Sequence, residues 1–452
     1  MNQPNTAQMG FAEAFITPTK PVELAGFFRP DNQSQGILHP LKLQVMIWKH
    51  KEDIACLITI DSLGFTVELS NLLRDRAAAL LPAPRDHVML CFSHTHSAPN
   101  AANEPEYFES VCQQAEECVK QAKANLFPAF AAWGTGENEV GINRRNDPAS
   151  MDRRLGILKV TEAGSRSLKL LLLRVTAHAN ILSSDNYRIS SDYFGVTREL
   201  LEKKYNCKVM MVQGASGDIR PRYHQDNTEY LEVHCYEAAE KANKKYSDEY
   251  RKKYTAQSRE ALYKTAVSIS DSVSAVINST DVKPVTYIKT KSVFQRFTAD
   301  VPSIKQAEII AEEAEREAGI DGRGWLDEVK RLHNNGIRHQ WSDIEIQYFI
   351  INNGCFCGIA NEAMCRIALN IQKSAQDPLL FFNGYTNGCN SYLPTAEEYD
   401  KGGYEVLWSN LVYYPYHGRV MPFNRDTADK LVRETVKNYL KIASSPESVI
   451  IS

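Results

Sequence analysis

Residues 168–179 read LKLLLLRVTAHA, an almost continuous apolar run that becomes polar at its C-terminal end. Residues 208–218, KVMMVQGASGD, repeat the pattern further along the chain. Such runs are typical of central strands that are buried on both faces. The polar residues that follow them, among them His178 and Asp218, stand where α/β proteins usually build their sites. The two stretches therefore predict a helix-covered sheet with chemistry at its strand ends.

The same alternation of apolar runs and helical segments extends outward over the first 220 residues. Strand-like runs occupy 41–50, 53–65 and 88–92, and a helical segment occupies 67–81. Strand character returns later in the chain, at 344–360 and 377–388. Alternation of this kind is the pattern of layered α/β structure. The sequence thus predicts an α/β (mixed α+β) fold of layered β-sheets flanked by helices.

A helix-rich region at about residues 225–340 interrupts this alternation. Its composition shifts to Glu, Lys, Ala and Tyr with helical periodicity, and a strand-like piece at 285–297 precedes helical segments at 303–319 and 324–336. The sequence contains no internal repeat and no low-complexity linker. We expect a single domain over residues 1–452, with the helix-rich region as an insertion or flank.

Composition narrows the class of partner. The 452 residues carry a formal net charge of −3 and a pI near 6.4, so no basic field favours nucleic acid. No stretch approaches about 20 uninterrupted apolar residues, and the N-terminus lacks a signal-peptide pattern. The ten cysteines form no C-x-x-C pair. We expect a cytoplasmic protein with reduced thiols, a small-molecule substrate and no stable membrane anchor; its oligomeric state stays open.

Two histidines stand directly after the apolar run VMLCF, in the segment CFSHTHSAPN. The H-x-H spacing of His94 and His96 turns both imidazoles to one face of an extended segment, which suits a metal ion. Histidines hydrogen-bonded in a polar loop give the same pattern. The spacing alone leaves both interpretations open.

Other polar residues follow apolar segments in a similar way. His178 precedes a loop rich in Ser, Asn and Asp, and Glu362 stands just before an amphipathic helix, where acidic residues are also favoured electrostatically. The turn QGASGDIRPR carries Asp218 and Arg220, and Gly-rich turns expose backbone N–H groups to anions. Residues 383–405 contain four tyrosines, for which buried aromatic packing is the simplest explanation.

Taken together and in order, these segments resemble the neutral/alkaline, non-lysosomal ceramidase family. The motifs that carry the resemblance are HTHSAPN (94–100), ANIL with ISSDYFG (179–195), QGASGDIRPR (213–222), GIANEAM (358–364) and YLPTAEEYDKGGYE (392–405). ITPTKPVELAGFFR (16–29) and the NRR at 143–145 are also similar to that family's N-terminal catalytic domain. The resemblance covers essentially the whole chain apart from the helical middle, and it implies the fold of that catalytic domain.

The resemblance also implies a chemistry and a set of site residues. It implies a zinc-dependent amidohydrolase that cleaves an N-acyl amide bond with a zinc-activated water. The implied zinc ligands are His94, His178, Glu362 and Tyr392. His96 would stand beside the attacking water, as a proton shuttle or a substrate contact, and Asp218, a catalytic candidate, lies in the turn that shapes the site. We add Arg220 as a catalytic candidate, and Asn143, Arg144, Arg222 and Tyr404 as candidate substrate-binding residues.

Arg220 departs from the family's motif, in which a small hydroxyl residue follows the G-D-x turn. A guanidinium suits a carboxylate or phosphate, which favours a small, N-acylated and anionic substrate, although an ion pair with a neighbouring aspartate explains it equally well. Two other functions stay open: a zinc-dependent ester or phosphoester hydrolase, and a catalytically inactive ligand-binding homologue. A second metal near Asp61 or Asp192 also stays open.

Overall fold

A computed structural model describes residues 6–29, 31–223 and 248–444, without the side chains of 248–255. The strands are β1 Gln8–Phe15, β2 Lys42–His50, β3 Asp53–Ile60, β4 Val88–Phe92, β5 Phe127–Glu137, β6 Gly141–Asn143, β7 Arg154–Glu162, β8 Leu168–Val175, β9 Lys208–Gln213, β10 Ile219–Pro221, β11 Lys283–Pro284, β12 Ile288–Asp300, β13 His339–Ile351, β14 Gly354–Gly358, β15 Glu362–Ala363, β16 Leu380–Asn383 and β17 Tyr392–Leu393. The helices are α1 Val67–Leu80, α2 Pro105–Ala124, α3 Asp192–Tyr205, α4 Asp248–Ile277, α5 Ile304–Ala318, α6 Arg323–Asn334, α7 Cys365–Ala375, α8 Ala396–Tyr399, α9 Asn410–His417 and α10 Thr427–Ala443.

Two β-sheets pack face to face between layers of helices. The larger sheet has the order β4-β3-β2-β1-β5-β7-β8-β9, with β11 beside β5, and the smaller has the order β12-β13-β14-β16. One face of the larger sheet packs against α1 and α2 at β1–β4 and against α3 and α4 at β7–β9. Its other face packs on the smaller sheet, which α7 and α10 cover from outside. The predicted α/β fold of layered sheets flanked by helices is confirmed.

The apolar run at 168–179 owes its pattern to this position between layers. In β8, Leu170 and Leu172 pack toward the second sheet, whereas Leu171 and Leu173 pack toward α3 and α4. Successive side chains of a strand point to opposite faces, so a strand covered on both sides is apolar at nearly every position. The run ends where the chain leaves the sheet, at Thr176 and the buried His178.

The larger sheet curls until its two edge strands end side by side. Gln213, the last residue of β9, donates a hydrogen bond from Nε2 to the carbonyl of Ser93, directly after β4 (3.3 Å). The segment at 384–387 fills the seam, because the Phe92 amide donates to the Tyr385 carbonyl (3.1 Å) and the Gly384 amide donates to the Gly214 carbonyl (3.4 Å). Residues that follow β4 and β8 are thereby brought to one place.

The helix-rich region at about 225–340 lies partly outside the described residues, at 224–247. Its described remainder contains α4, α5 and α6, and the strand-like piece at 285–297 overlaps β12 of the second sheet. Helix α5 begins after Ser303, whose side chain accepts from the Gln306 amide in a capping box, and ends at Gly319. The predicted helical segments at 303–319 and 324–336 are confirmed. The single-domain organisation stays a prediction.

Candidate metal centre

His94 lies just after the end of β4. Its backbone is in the left-handed conformation, with φ 61°, and its side chain is buried. Nδ1 lies 2.6 Å from the carbonyl oxygen of Leu63, which can only accept a hydrogen bond. Nδ1 therefore carries the proton, and Nε2 presents a lone pair. That Nε2 lies 3.2 Å from Oε2 of Glu362. The Leu63 carbonyl thus fixes both the orientation and the tautomer of this ring.

His178, at the end of β8, is held in the same way. Its Nδ1 lies 2.6 Å from the carbonyl oxygen of Ser216, in the turn after β9, so Nδ1 is again the donor. Its Nε2 lies 3.3 Å from the same Oε2 of Glu362. Burial lowers the pKa of His178 to about 4, with a further contribution from Arg144, so its ring is neutral at neutral pH.

Glu362 is fully buried in the two-residue strand β15. Burial would raise the pKa of its carboxyl, but His94 and His178 outweigh it and hold the pKa well below the ordinary value. A close approach of the backbone is needed here, since a Cβ on Gly217 would lie 2.4 Å from the Glu362 carbonyl oxygen. Because its pKa is held low, the Glu362 side chain presents an ionised carboxylate to the two histidines.

These three side chains fit a metal cation. Two imidazole lone pairs and a carboxylate oxygen are all acceptors, and acceptors do not converge within about 3 Å without a cation or a proton between them. The Nε2 of His178 and the Oε1 of Glu362 have no hydrogen-bond partner within the described chain. Nitrogen and oxygen donors of this kind suit zinc.

His96 joins the cluster from the open side. Its ring centroid lies 4.9 Å from that of His94 and 5.7 Å from that of His178, and the ligand atoms of the three histidines lie within 4.8 Å of one another. Both of its ring nitrogens are buried without a partner among the described residues. Burial, with His94 and His178, holds the pKa of His96 well below its ordinary value. Its geometry suits either a third nitrogen ligand or a proton carrier.

Two buried tyrosines flank Glu362. Tyr392 pairs with Glu362 across the parallel β15/β17 ladder, and its hydroxyl accepts a hydrogen bond from Nη2 of Arg144 (3.2 Å). Tyr385 donates to Glu362 Oε2 (3.4 Å), and its ring centroid lies 4.2 Å from that of His94. Tyr385 also has a positive φ of 52°, a conformation that non-glycine residues rarely adopt outside tight or functional sites.

Comparison with solved structures gives the fold a precedent. One similar structure is described as neutral ceramidase from Pseudomonas aeruginosa: the TM-score is 0.68 at 16% sequence identity, covering 96% of this chain and 74% of that chain. Another, described as ceramidase complexed with C2, also has a TM-score of 0.68 at 16% identity, covering 97% and 76% of the two chains.

The chain has the neutral ceramidase fold. No protein-family model matches the sequence, and no curated protein matches it either. The likeness is therefore one of structure at low identity, and the expectation of this fold from the ordered motifs is confirmed. In the described part of the chain, no helix has both the length and the apolar character that a membrane crossing requires.

Within this ceramidase fold, Asp218 acts as a tie between backbone segments. Its Oδ1 accepts from the Cys365 amide at the start of α7 (2.7 Å), and its Oδ2 accepts from Asn143 Nδ2 (2.8 Å). Burial raises its pKa to about 6. Both oxygens thus hold the turn after β9 against neighbouring elements, and the predicted catalytic role of Asp218 stays a prediction.

The four predicted cationic and aromatic contacts lie in different surroundings. Arg144 donates from Nη2 to the Gly217 carbonyl (2.7 Å) and pairs through Nε with Glu405 (2.9 Å). Arg220 lies in β10, opposite Ile142 of β6. The remaining two are Arg222, which pairs with Glu139 at the surface, and Tyr404, whose ring centroid lies 6.0 Å from that of Tyr392. Arg144 and Tyr404 thus lie beside a predicted ligand, whereas Arg222 is engaged at the surface.

The two aspartates considered for a second metal are already engaged. Asp61 forms a buried bidentate pair with Arg198, which includes a contact of Nη1 with Oδ1 at 2.9 Å. Asp192 accepts from the amides of Leu182 (3.0 Å) and Tyr193 (2.8 Å). Their oxygens serve the fold, and among the described residues neither aspartate belongs to a group of side chains that could hold a second ion.

Two residues near the centre were missed by sequence reasoning. Tyr385 was visible only as one of four clustered tyrosines, and nothing in its spacing separated it from Tyr392. Arg29 donates from Nη2 to the His96 carbonyl (3.2 Å), although the chain separates the two residues widely. The motif GFFR lay within the similar N-terminal segment, but an arginine after two aromatics carries no local signal of a site.

Proposed function

We propose that this protein is a zinc-dependent amidohydrolase that cleaves an N-acyl amide bond. One observation carries the proposal: Nε2 of His94 and Nε2 of His178 both approach Oε2 of Glu362, at 3.2 and 3.3 Å, with their Nδ1 atoms committed to carbonyls. Such an arrangement of acceptors supports a cation site. The proposed ligands are His94, His178, Glu362 and Tyr392.

A bound zinc ion would supply Lewis acidity to the amide carbonyl and to an attacking water. The chain's own part begins with orientation. The carbonyls of Leu63 and Ser216 accept from Nδ1 of the two imidazoles, so each ring is turned with Nε2 toward Glu362. Tyr385 steadies the carboxylate of Glu362 from the other side.

His96 is the proposed proton carrier. Its ring is neutral, its two nitrogens have no partner among the described residues, and it stands against both metal-side histidines. A neutral imidazole in that position can accept a proton from the attacking water and return it to the leaving amine nitrogen. The transfer balances, because the amine leaves neutral and His96 returns to its starting state.

Arg144 is proposed to hold the Tyr392 hydroxyl in place, on the side where the substrate would bind, through its hydrogen bond to that hydroxyl. Burial would lower the pKa of its guanidinium, but Tyr392 and Glu405 outweigh this effect, so the group stays charged. Asn143 and Tyr404 are further proposed substrate contacts, Arg220 is a proposed catalytic residue, and Asp218 holds their turn. Arg222, which pairs with Glu139 at the surface, stays a candidate from the sequence alone. The solved neighbours are named ceramidases, which supports an acyl amide as the bond that is cut.

The test combines metal content with turnover. The purified protein should contain about one zinc per chain and hydrolyse members of an N-acyl amide library in preference to ester and phosphoester libraries. The variant His94→Ala should lose both zinc and turnover, whereas His339→Ala, an exposed histidine paired with Asp300, should keep both. Phosphoester hydrolysis alone would overturn the amide assignment. Bound zinc without any turnover would indicate a ligand-binding homologue.

A further inference from the structure

The loop residues 23–29 and 31–33 lie directly against the His96 side of the centre. The Leu24 amide donates to the Asn32 carbonyl (2.8 Å) and closes the loop, and the Ala25 amide donates to the Ala98 carbonyl (3.0 Å). Gly26 fits against the imidazole of His96, since a Cβ there would lie 2.6 Å from the ring. The loop is thus built onto the segment that carries His94 and His96.

This loop buries a cation beside the centre. The side chain of Arg29 is buried, with 8% relative exposure, and Nη2 donates to the His96 carbonyl (3.2 Å). Nε and Nη1 are buried with no hydrogen-bond partner among the described residues. Buried polar groups in native proteins are nearly always satisfied, and a charged donor left unsatisfied is costly. Nε and Nη1 of Arg29 therefore need a hydrogen-bond acceptor from outside the described chain.

The surroundings of Arg29 do not neutralise it. Its guanidinium carbon lies 5.3 Å from the ring centroid of Phe27 and 5.8 Å from that of Tyr187. Burial lowers its pKa to about 10, while Tyr187 and Asp185 act in the opposite direction, so it is charged at neutral pH. Among the described residues, Arg29 forms no ion pair, although the Asp185 carboxylate is close enough for each charge to shift the pKa of the other.

Arg144 is a buried arginine that the fold pairs with a carboxylate, although its Nε makes no aligned hydrogen bond among the described residues. Its guanidinium has the Gly217 carbonyl, the Tyr392 hydroxyl and the Glu405 carboxylate as partners. Arg29 has one carbonyl and two aromatic faces. Aromatic faces attract a cation but accept no hydrogen bond in the plane of the guanidinium. The planar N–H edge of Arg29 is suited to the two oxygens of a carboxylate, sulfonate or phosphate.

We propose that Arg29 binds an oxyanion group on the amine portion of the substrate, so that the site selects acidic N-acyl amides over neutral ones. The selectivity in hydrolysis rests on the proposed amidohydrolase function. The binding of an oxyanion by Arg29 does not depend on it. It places the acidic group on the His96 side of the centre, next to the residue proposed to protonate the leaving amine. An N-acyl amino acid has an oxyanion at that end of the amide.

A matched pair of substrates tests the selectivity. N-octanoylglycine and N-octanoylethanolamine share the acyl chain and differ in carboxylate against hydroxyl. The wild-type protein should prefer the acid by about 100-fold in kcat/KM, the worth of a charge-assisted pair in a dry site. Arg29→Gln should remove most of this preference, because the acid loses far more than the neutral substrate does. Arg29→Lys should keep about a tenth of it, since an ammonium lacks the planar fork.

A matched control comes from the neighbouring loop. Arg188 donates from Nη2 to the Ile37 carbonyl (2.6 Å), so Arg188→Gln removes an arginine of similar bonding that does not touch His96. It should leave the acid-to-neutral ratio as in the wild type. Zinc content and the thermal unfolding midpoint of each variant check the fold, and Arg29→Lys serves if Arg29→Gln fails to fold.

Binding without turnover separates this inference from the proposed reaction. The probes are the uncleavable ketones in which a CH₂ replaces the amide N–H of each substrate, titrated calorimetrically into the zinc-loaded protein. Tighter binding of the acidic ketone that Arg29→Gln or Arg29→Lys weakens supports the inference, even if no amide is hydrolysed and the proposed function fails. Equal binding of both ketones by the wild type, or a preference that survives both variants, overturns it, even if amides are hydrolysed.

Discussion

The two sides of the candidate metal centre differ in how their polar groups are satisfied. On one side, His94 and His178 each donate Nδ1–H to a backbone carbonyl and direct Nε2 at Glu362. On the other side, His96 and Arg29 each have two buried nitrogens without a partner among the described residues. The fold has therefore fixed the orientation of the rings on the first side, where His178 Nε2 and Glu362 Oε1 stay open for a cation, and has left the nitrogens of the second side open for a different ligand.

This difference indicates separate duties for the two sides. Rings whose tautomer and orientation are fixed by carbonyls are arranged as metal ligands are arranged in proteins. Groups with open hydrogen-bonding capacity are better suited to contacts that form and break during turnover. We expect substitutions on the first side to remove metal, and substitutions on the second side to leave metal in place and change rate or selectivity.

Removal of a metal-side imidazole should have the largest effect. His178→Ala should weaken zinc binding by more than about 100-fold and abolish turnover, because a ligand and its oriented lone pair are both lost. The control is His87→Ala, whose Nδ1 also lies 2.7 Å from a carbonyl, that of Ile54. Zinc titration against a chelator measures the affinity of each. Full zinc affinity in His178→Ala would refute the metal side as defined here.

Substitution of His96 should separate metal from rate. His96→Gln should keep about one zinc per chain while kcat falls by about 100- to 10,000-fold, the usual contribution of a general acid or base. Metal analysis and steady-state kinetics on the same preparation provide both numbers. The three histidines are close enough for His96 to be a ligand instead. Loss of zinc in His96→Gln would move it to the metal side.

The two tyrosines can be ranked by the same measurement. Tyr392→Phe removes a predicted ligand and should weaken zinc binding by up to about 100-fold. Tyr385→Phe removes a hydrogen bond to Glu362 and one from Ser216, but no predicted ligand, and should weaken it by about tenfold. Tyr348→Phe, a buried tyrosine that donates to the Thr435 carbonyl, is the control. A larger loss for Tyr385→Phe would make Tyr385 the fourth ligand.

Sequence patterns were sufficient to predict the layered sheets and the positions of polar residues at the ends of strands. The apolar runs at 168–179 and 208–218 alternate between two buried faces, and the residues after them enter the pocket. The helical periodicity of residues 303–319 likewise predicted a helix that the structure has. These features are local, so a single sequence can carry them.

The closure of the pocket could not be predicted from local patterns. His94 follows β4 and His178 follows β8, which are far apart in the order of the sheet, yet their ring centroids lie 4.8 Å apart. Their proximity depends on the curl of the sheet and on the segment at 384–387, which fills the seam. The open donors of Arg29 are equally non-local, because they depend on which groups fail to reach it.

Substitution of Asp192 should have the smallest effect, a pH-dependent change in stability. Asp192 supports the metal side because it holds the loop that follows His178. It lies at φ 50°, and its carboxylate holds the Leu182 amide in the loop that follows His178. Burial raises its pKa to about 6 despite three backbone donors. Folding therefore favours the protonated form of Asp192. The stability that this protonation contributes is fully present below the unfolded pKa of about 3.9 and is lost as the pH rises through about 6.

Asp192→Asn does not titrate, so its free energy of unfolding relative to wild type should rise by about 2 kcal/mol between about pH 4 and pH 7. Urea unfolding of the metal-free proteins measures this, with Thr197→Val in the same helix as a non-titrating control. A difference that stays constant over this range would mean that Asp192 is ionised throughout and that its three amides outweigh its burial.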